Sequence, residues 1–224
     1  MSGRLRTFWY DNSLSIVLLV LFAGCFLGHS ISGFLDERAN RMEQGQPPPT
    51  FGAYLTSGPF LESVFENWES EFLQMALFVV LTVSLRQKGS SESKSLDEPE
   101  PVDQDPRAAR LREDTPWPVR RGGLLLTIYE HSLSLALLAV FAFSFSLHAL
   151  TGHHAYNAER EERGLAAVSL KAYVSGPRFW FESFQNWQSE FLAVWAIVVF
   201  SIYLRERGSA QSKAVAAAHS DTGE

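Results

Sequence analysis

Two histidines and two glutamates stand within or at the mouths of apolar runs in this sequence. His29 lies in SIVLLVLFAGCFLGHSISGFL and His148 in SLALLAVFAFSFSLHAL. Glu71 and Glu190 close NWESEF and NWQSEF, which run into LQMALFVVLTVSL and LAVWAIVVFSIYL. An imidazole beside a carboxylate can relay a proton or sense pH. It can equally hold two helices together as a polar clamp, or sit hydrated at a water boundary. His29 follows Ser13 by 16 residues and Glu71 precedes Arg86 by 15, hence about 24 Å and about 22 Å along straight helices. Equal depth pairs His29 with Glu71 and, by the same count, His148 with Glu190. Ionisable groups at such depth tend to face a bundle interior and find a partner.

The elements that carry these groups follow from hydropathy. Apolar runs occupy roughly residues 13–35, 68–85, 132–150 and 187–204, while charge collects between them. About 20 nearly uncharged residues are what a hydrocarbon core of about 30 Å requires of a helix. The expectation is an all-α membrane protein with four transmembrane helices. Lys and Arg fix its orientation: 13 of the 19 lie in the N-terminal stub (Arg4, Arg6), in residues 86–122, or in the C-terminal tail. Both termini and the middle linker are therefore expected in the cytoplasm.

The chain also repeats itself. A shift of 119 residues lays YDNSLSIVLLVLFAGCFLGHS on YEHSLSLALLAVFAFSFSLHA, and LRQKGSSESK on LRERGSAQSK. AYLTSGPFLESVFENWESEFL falls on AYVSGPRFWFESFQNWQSEFL with one compensated gap. Two spans per unit make the copies parallel tandem repeats, unlike the inverted repeats of many transporters. The organisation expected is a first two-span repeat at 1–86, a flexible linker at 87–122, a second repeat at 123–207 and a disordered tail at 208–224. The linker has too few apolar residues to offset the entropy of ordering.

Outside the bilayer each unit predicts an amphipathic helical segment. Pro59 stands in a first helical turn, where its missing N–H costs nothing, and Leu61, Phe65, Trp68 and Phe72 then recur on one face. The second copy offers Phe181, Phe184, Trp187 and Phe191. Trp68, Trp187, Phe72 and Phe191 read as interfacial aromatics. Gly24 and Gly28 form a GxxxG surface for close helix packing, either within the chain, with their counterparts Phe143 and Leu147 supplying bulk, or between two copies.

The lone cysteine, Cys25, excludes an internal disulfide and a cysteine metal cluster. FAGC at 22–25 is a poor lipoprotein box, with Phe22 where leucine is usual and apolar chain continuing beyond it. His153 and His154 are adjacent, hence on different helix faces, and read as exposed loop histidines in preference to a metal-binding set with His148. No phosphate-binding loop, nucleophile elbow or catalytic residue set is present, and no metal, cofactor or nucleic-acid partner is expected. The pattern, above all NWESEFLQ, NWQSEFL and LRQKGSSESK, resembles an uncharacterised bacterial membrane-protein family designated only as a domain of unknown function. The resemblance implies a bacterial inner-membrane protein and carries no activity. Two functions are left: a non-catalytic membrane scaffold or interaction protein partnered by lipid, another protein or a second copy, and a small proton- or ion-linked transporter or channel using the His and Glu pairs.

Overall fold

The computed structural model describes residues 3–96 and 98–223; residues 1, 2, 97 and 224 and the side chains of 3–5, Arg4 among them, lie outside the described residues. Within that range the chain is helical and forms no strand. The α-helices are α1 (Gly3–Asp11), α2 (Ser13–Glu43), α3 (Phe51–Leu55), α4 (Gly58–Ser84), α5 (Trp117–Arg121), α6 (Gly123–Glu130), α7 (Ser132–Glu162), α8 (Leu170–Val174) and α9 (Pro177–Tyr203). Lengths recur in order: 31 residues in α2 and α7, 5 in α3 and α8, 27 in α4 and α9.

Local chemistry sets the boundaries. After α2, Gly45 takes a positive φ of 70° and Pro47, Pro48 and Pro49 supply no N–H with which a helix could continue. The next helix starts at Thr50, whose hydroxyl accepts from Ala53 N at 3.2 Å; Ser169 caps α8 through Ala172 N at the same distance. Such caps satisfy one of the four donors every helix start leaves free. Pro59 and Pro177 sit in the first turns of α4 and α9. At the other ends, Arg86 folds back onto the carbonyls of Thr82, Val83 and Leu85, and Arg205 onto those of Ser201, Ile202 and Leu204. A cation there satisfies orphan carbonyls and opposes the helix dipole. Beyond the arginines, Gln87 N donates to Ser93 Oγ and Glu206 N to Ser212 Oγ, each at 2.9 Å.

The residues read as linker and tail engage each other: Gly89 N donates to Thr222 Oγ1 at 2.9 Å and Gly223 N to Ser90 O at 3.0 Å. Ser90 Oγ also lies 2.8 Å from Ser201 Oγ on α9, and within the tail Lys213 Nζ donates to the carbonyls of Ala218, His219 and Asp221.

Two packing modes organise the long helices. Within each half, rings separate the axes: Phe22 on Trp68 and Phe26 on Phe60 between α2 and α4, Phe145 on Phe179 and Phe141 on Trp187 between α7 and α9. Between the halves α4 lies close and antiparallel to α7, with Gly58 against Thr151 and Ala155 at one end and Phe65 edge-on to Phe143 farther along. α9 completes the arrangement against α4.

Among the described residues, only α2 and α7 are long and apolar enough to cross a membrane, and few residues of their apolar windows are buried in the protein. Two of the four expected spans meet that test. α4 and α9 fall short because Glu62, Glu66, Glu69 and Glu71 in one, and Glu182 and Glu190 in the other, interrupt their first halves.

The expectation that α7 supplies bulk to the glycine face is corrected. A Cβ on Gly24 or Gly28 would meet nothing within 4 Å, so no bulk from α7 fills that face. Close approach occurs instead at Gly33 and Gly152, where a Cβ would collide with the Tyr54 hydroxyl and the Tyr173 hydroxyl respectively. Gly33→Ala and Gly152→Ala should each cost about 1–3 kcal/mol through overpacking. Gly24→Ala and Gly28→Ala should leave thermal stability in detergent unchanged or slightly raised, as helix propensity favours alanine.

Candidate functional site: a buried histidine held by carboxylates from both halves

His148 is fully buried on α7, and Glu69 on α4 is equally buried beside it. Its Nδ1 lies 2.7 Å from Glu69 Oε2. Glu69 Oε1 accepts a second bond, from the Trp187 indole N–H on α9 at 2.9 Å. On the other side of the ring, His148 Nε2 stands 3.8 Å from Glu182 Oε2. That is an electrostatic distance, too long for a hydrogen bond, and Nε2 is without a hydrogen-bond partner among the described residues.

Glu182 is itself fixed from two directions. The Tyr173 hydroxyl on α8 donates to its Oε2 at 2.9 Å, and Arg178, one turn earlier on α9, donates to its Oε1. Burial first, and then the charge of Glu182, push the Tyr173 phenol far above the usual range, so it keeps its proton and remains a donor. Gly152 makes room for this hydroxyl and for Glu62, whose Oε1 would be 2.7 Å from a Cβ at that position. Glu66, one turn beyond Glu62, accepts from the Asn186 side-chain amide.

Glu62, Glu66 and Glu69 thus turn one face of α4 toward α7 and α9, at the four- and three-residue spacing that aligns side chains on a helix. Rings close the surroundings: Phe179, fully buried, packs on His148 at 4.9 Å between centroids and touches Phe145 and Tyr173. Charges in so dry a setting need partners, because desolvation costs several kcal/mol per ion.

The expected pairs do not form. His29, exposed on α2, lies 3.2 Å from the Ser63 hydroxyl, and Glu71 is exposed within electrostatic reach of Glu190 rather than of a histidine. The count assumed that Ser13 and Arg86 share a level, and the contact of His29 with Ser63 shows that they do not. His29 and His148 therefore meet α4 and α9 eight residues nearer the helix starts than Glu71 and Glu190, about 12 Å along the axis. Trp187 points inward to Glu69, whereas Trp68 packs on Phe22 and Phe65. Phe72 is half-buried and Phe191 remains 37% exposed, open enough for the interfacial role expected of it. His153 is engaged locally, through Val168 O and Asn157.

One comparison orders the site. Adding 119 carries His29 to His148, Gly33 to Gly152, Tyr54 to Tyr173 and Ser63 to Glu182. The two imidazole contacts occupy the same place, with a hydroxyl in one half and a carboxylate in the other. The same shift carries Glu62, Glu66 and Glu69 to Phe181, Gln185 and Gln188, so the acidic face belongs to α4 alone. Sequence reasoning missed Glu69 and Glu182; the signals for them were the 62, 66, 69 spacing and the Ser63-to-Glu182 register.

His148→Ala should cost about 3–5 kcal/mol, because Glu69 is left as an uncompensated buried charge. His29→Ala removes one bond at an exposed ring and should lower the melting temperature far less. Thermal unfolding of the solubilised variants, side by side, checks the difference.

No curated protein and no solved structure matches the chain. The profile of the domain of unknown function DUF6766 matches residues 5–224, and the chain belongs to that family.

Proposed function

We propose that this protein is a four-span bacterial inner-membrane protein built from two parallel repeats, with both termini in the cytoplasm, acting as a non-catalytic scaffold or interaction protein. The observation that carries the reading is that the buried polar network joins helices of both halves and is walled by rings. Glu69, His148 and Glu182 are engaged from α4, α7, α8 and α9 and ringed by Phe145, Phe179 and Trp187, which suits a clamp between helices.

Four spans are supported by where the acidic residues point. Glu62, Glu66, Glu69 and Glu182 lower the apolarity of α4 and α9, yet they face the other helices. The outward residues Val80, Leu81 and Val83 of α4, and Leu192, Trp195, Ile197 and Phe200 of α9, are exposed and apolar, as a lipid-facing surface requires. The recurrence of helix lengths, arginine caps and serine turns 119 residues apart supports the duplicated architecture. The basic residues around the linker support the orientation.

A second reading, a proton- or ion-linked transporter, draws on the same cluster, since several carboxylates around one buried imidazole could pass an ion. Proteoliposomes with an entrapped pH-sensitive dye separate the two. The scaffold reading expects wild-type proton flux no greater than that of empty vesicles. Robust flux that disappears in Glu69→Gln/Glu182→Gln would overturn it in favour of the transporter.

A further inference from the structure

We infer that Glu62, His148 and Glu182 form a binding site for one divalent first-row transition-metal ion that joins α4, α7 and α9. One ligand atom from each residue lies within 4.8 Å of the others. The imidazole is fully buried, and its Nε2, facing Glu182 at 3.8 Å, is without a hydrogen-bond partner among the described residues. Its Nδ1 is spoken for by Glu69 at 2.7 Å. A carboxylate on Nδ1 fixes the proton there, turns the Nε2 lone pair outward and raises its basicity, the arrangement that metal-bound histidines use.

The carboxylates are prepared in the same way. Arg178 and the Tyr173 hydroxyl hold Glu182, and the second lone pair of its Oε2 remains on the His148 side. Glu62 Oε1 comes in over Gly152, where a side chain of any size would exclude it. Metal bonds of about 2.0–2.2 Å place the ligand atoms of a tetrahedral site about 3.4 Å apart, so the observed separations need to contract by little more than 1 Å. Charge points the same way. Glu62, Glu66, Glu69 and Glu182 converge on His148 with Arg178 as the permanent cation among them, and a dication would offset the excess. One imidazole with two carboxylates is a donor set for Zn²⁺, Mn²⁺ or Fe²⁺. The first half lacks it, since Ser63 and Phe181 stand where Glu182 and Glu62 have their 119-residue counterparts.

The inference deepens the clamp reading, and its failure leaves that reading intact, because flux rather than metal uptake decides between scaffold and transporter. The test uses full-length, tag-free protein in detergent, stripped with EDTA and titrated with Zn²⁺, with stoichiometry from elemental analysis and stability from thermal unfolding. One ion per chain and a raised melting temperature are expected. Glu62→Gln, which leaves the bonds of His148 to Glu69 and of Glu182 to Tyr173 and Arg178 in place, should abolish both. Glu62→Asp keeps the charge but withdraws the ligand by one methylene, and should weaken binding at least tenfold. His154→Ala, which alters the surface histidine pair, should bind as wild type does. Absence of stoichiometric uptake by the wild type, uptake unchanged in both Glu62 variants, or uptake lost in His154→Ala would overturn the site.

Discussion

Everything in the middle of this molecule depends on keeping one imidazole out of water. His148 sits where α4, α7 and α9 converge, with Glu69 bonded to one ring nitrogen and Glu182 facing the other. Dry charges are stable only when geometry and hydrogen bonding are nearly complete. The surrounding residues follow from that requirement. Trp187 takes the remaining oxygen of Glu69, Tyr173 and Arg178 take Glu182, and Gly152 is a glycine because a phenol and a carboxylate must pass over it. The same constraint explains why α4 lies so close to α7, with Gly58 against the Ala155 backbone, while helices within each half stand apart on aromatic rings.

The two halves share a frame and differ in what it holds. A tyrosine from a short helix crosses a glycine one turn beyond a histidine in both, as Tyr54 over Gly33 and Tyr173 over Gly152. In the first half that frame surrounds an exposed His29 and a serine; in the second it surrounds a buried His148 and a glutamate. Exposure decides the chemistry, since a hydrated imidazole needs no counter-ion and a desolvated one does.

Much of the frame was legible in the sequence. Long apolar runs announced α2 and α7, the prolines at 59 and 177 marked the starts of α4 and α9, and the 119-residue register anticipated equal helix lengths. The site was legible only in part, for a geometric reason. Counting residues along a helix gives depth but not azimuth, and even depth fails when the two reference points, here Ser13 and Arg86, do not share a level. His148 was found because an ionisable group in an apolar run is conspicuous. Glu69 was passed over for Glu71, two residues away and on the far side of the helix, because nothing in one unit's periodicity says which face will meet another unit. Contacts that cross between halves leave no local trace in either.

The placement of the acidic face on α4 alone has a consequence for the chain as a whole. Glu62, Glu66 and Glu69 from the first half meet His148 and Glu182 from the second in one network, and neither half carries the whole of it. On the duplicated reading, the copies have ceased to be interchangeable: two first halves would oppose acid to acid, and two second halves would leave His148 facing Gln185 and Gln188. The protein is then best regarded as an obligate heterodimer written as a single polypeptide. The linker's essential service is to guarantee one partner of each kind.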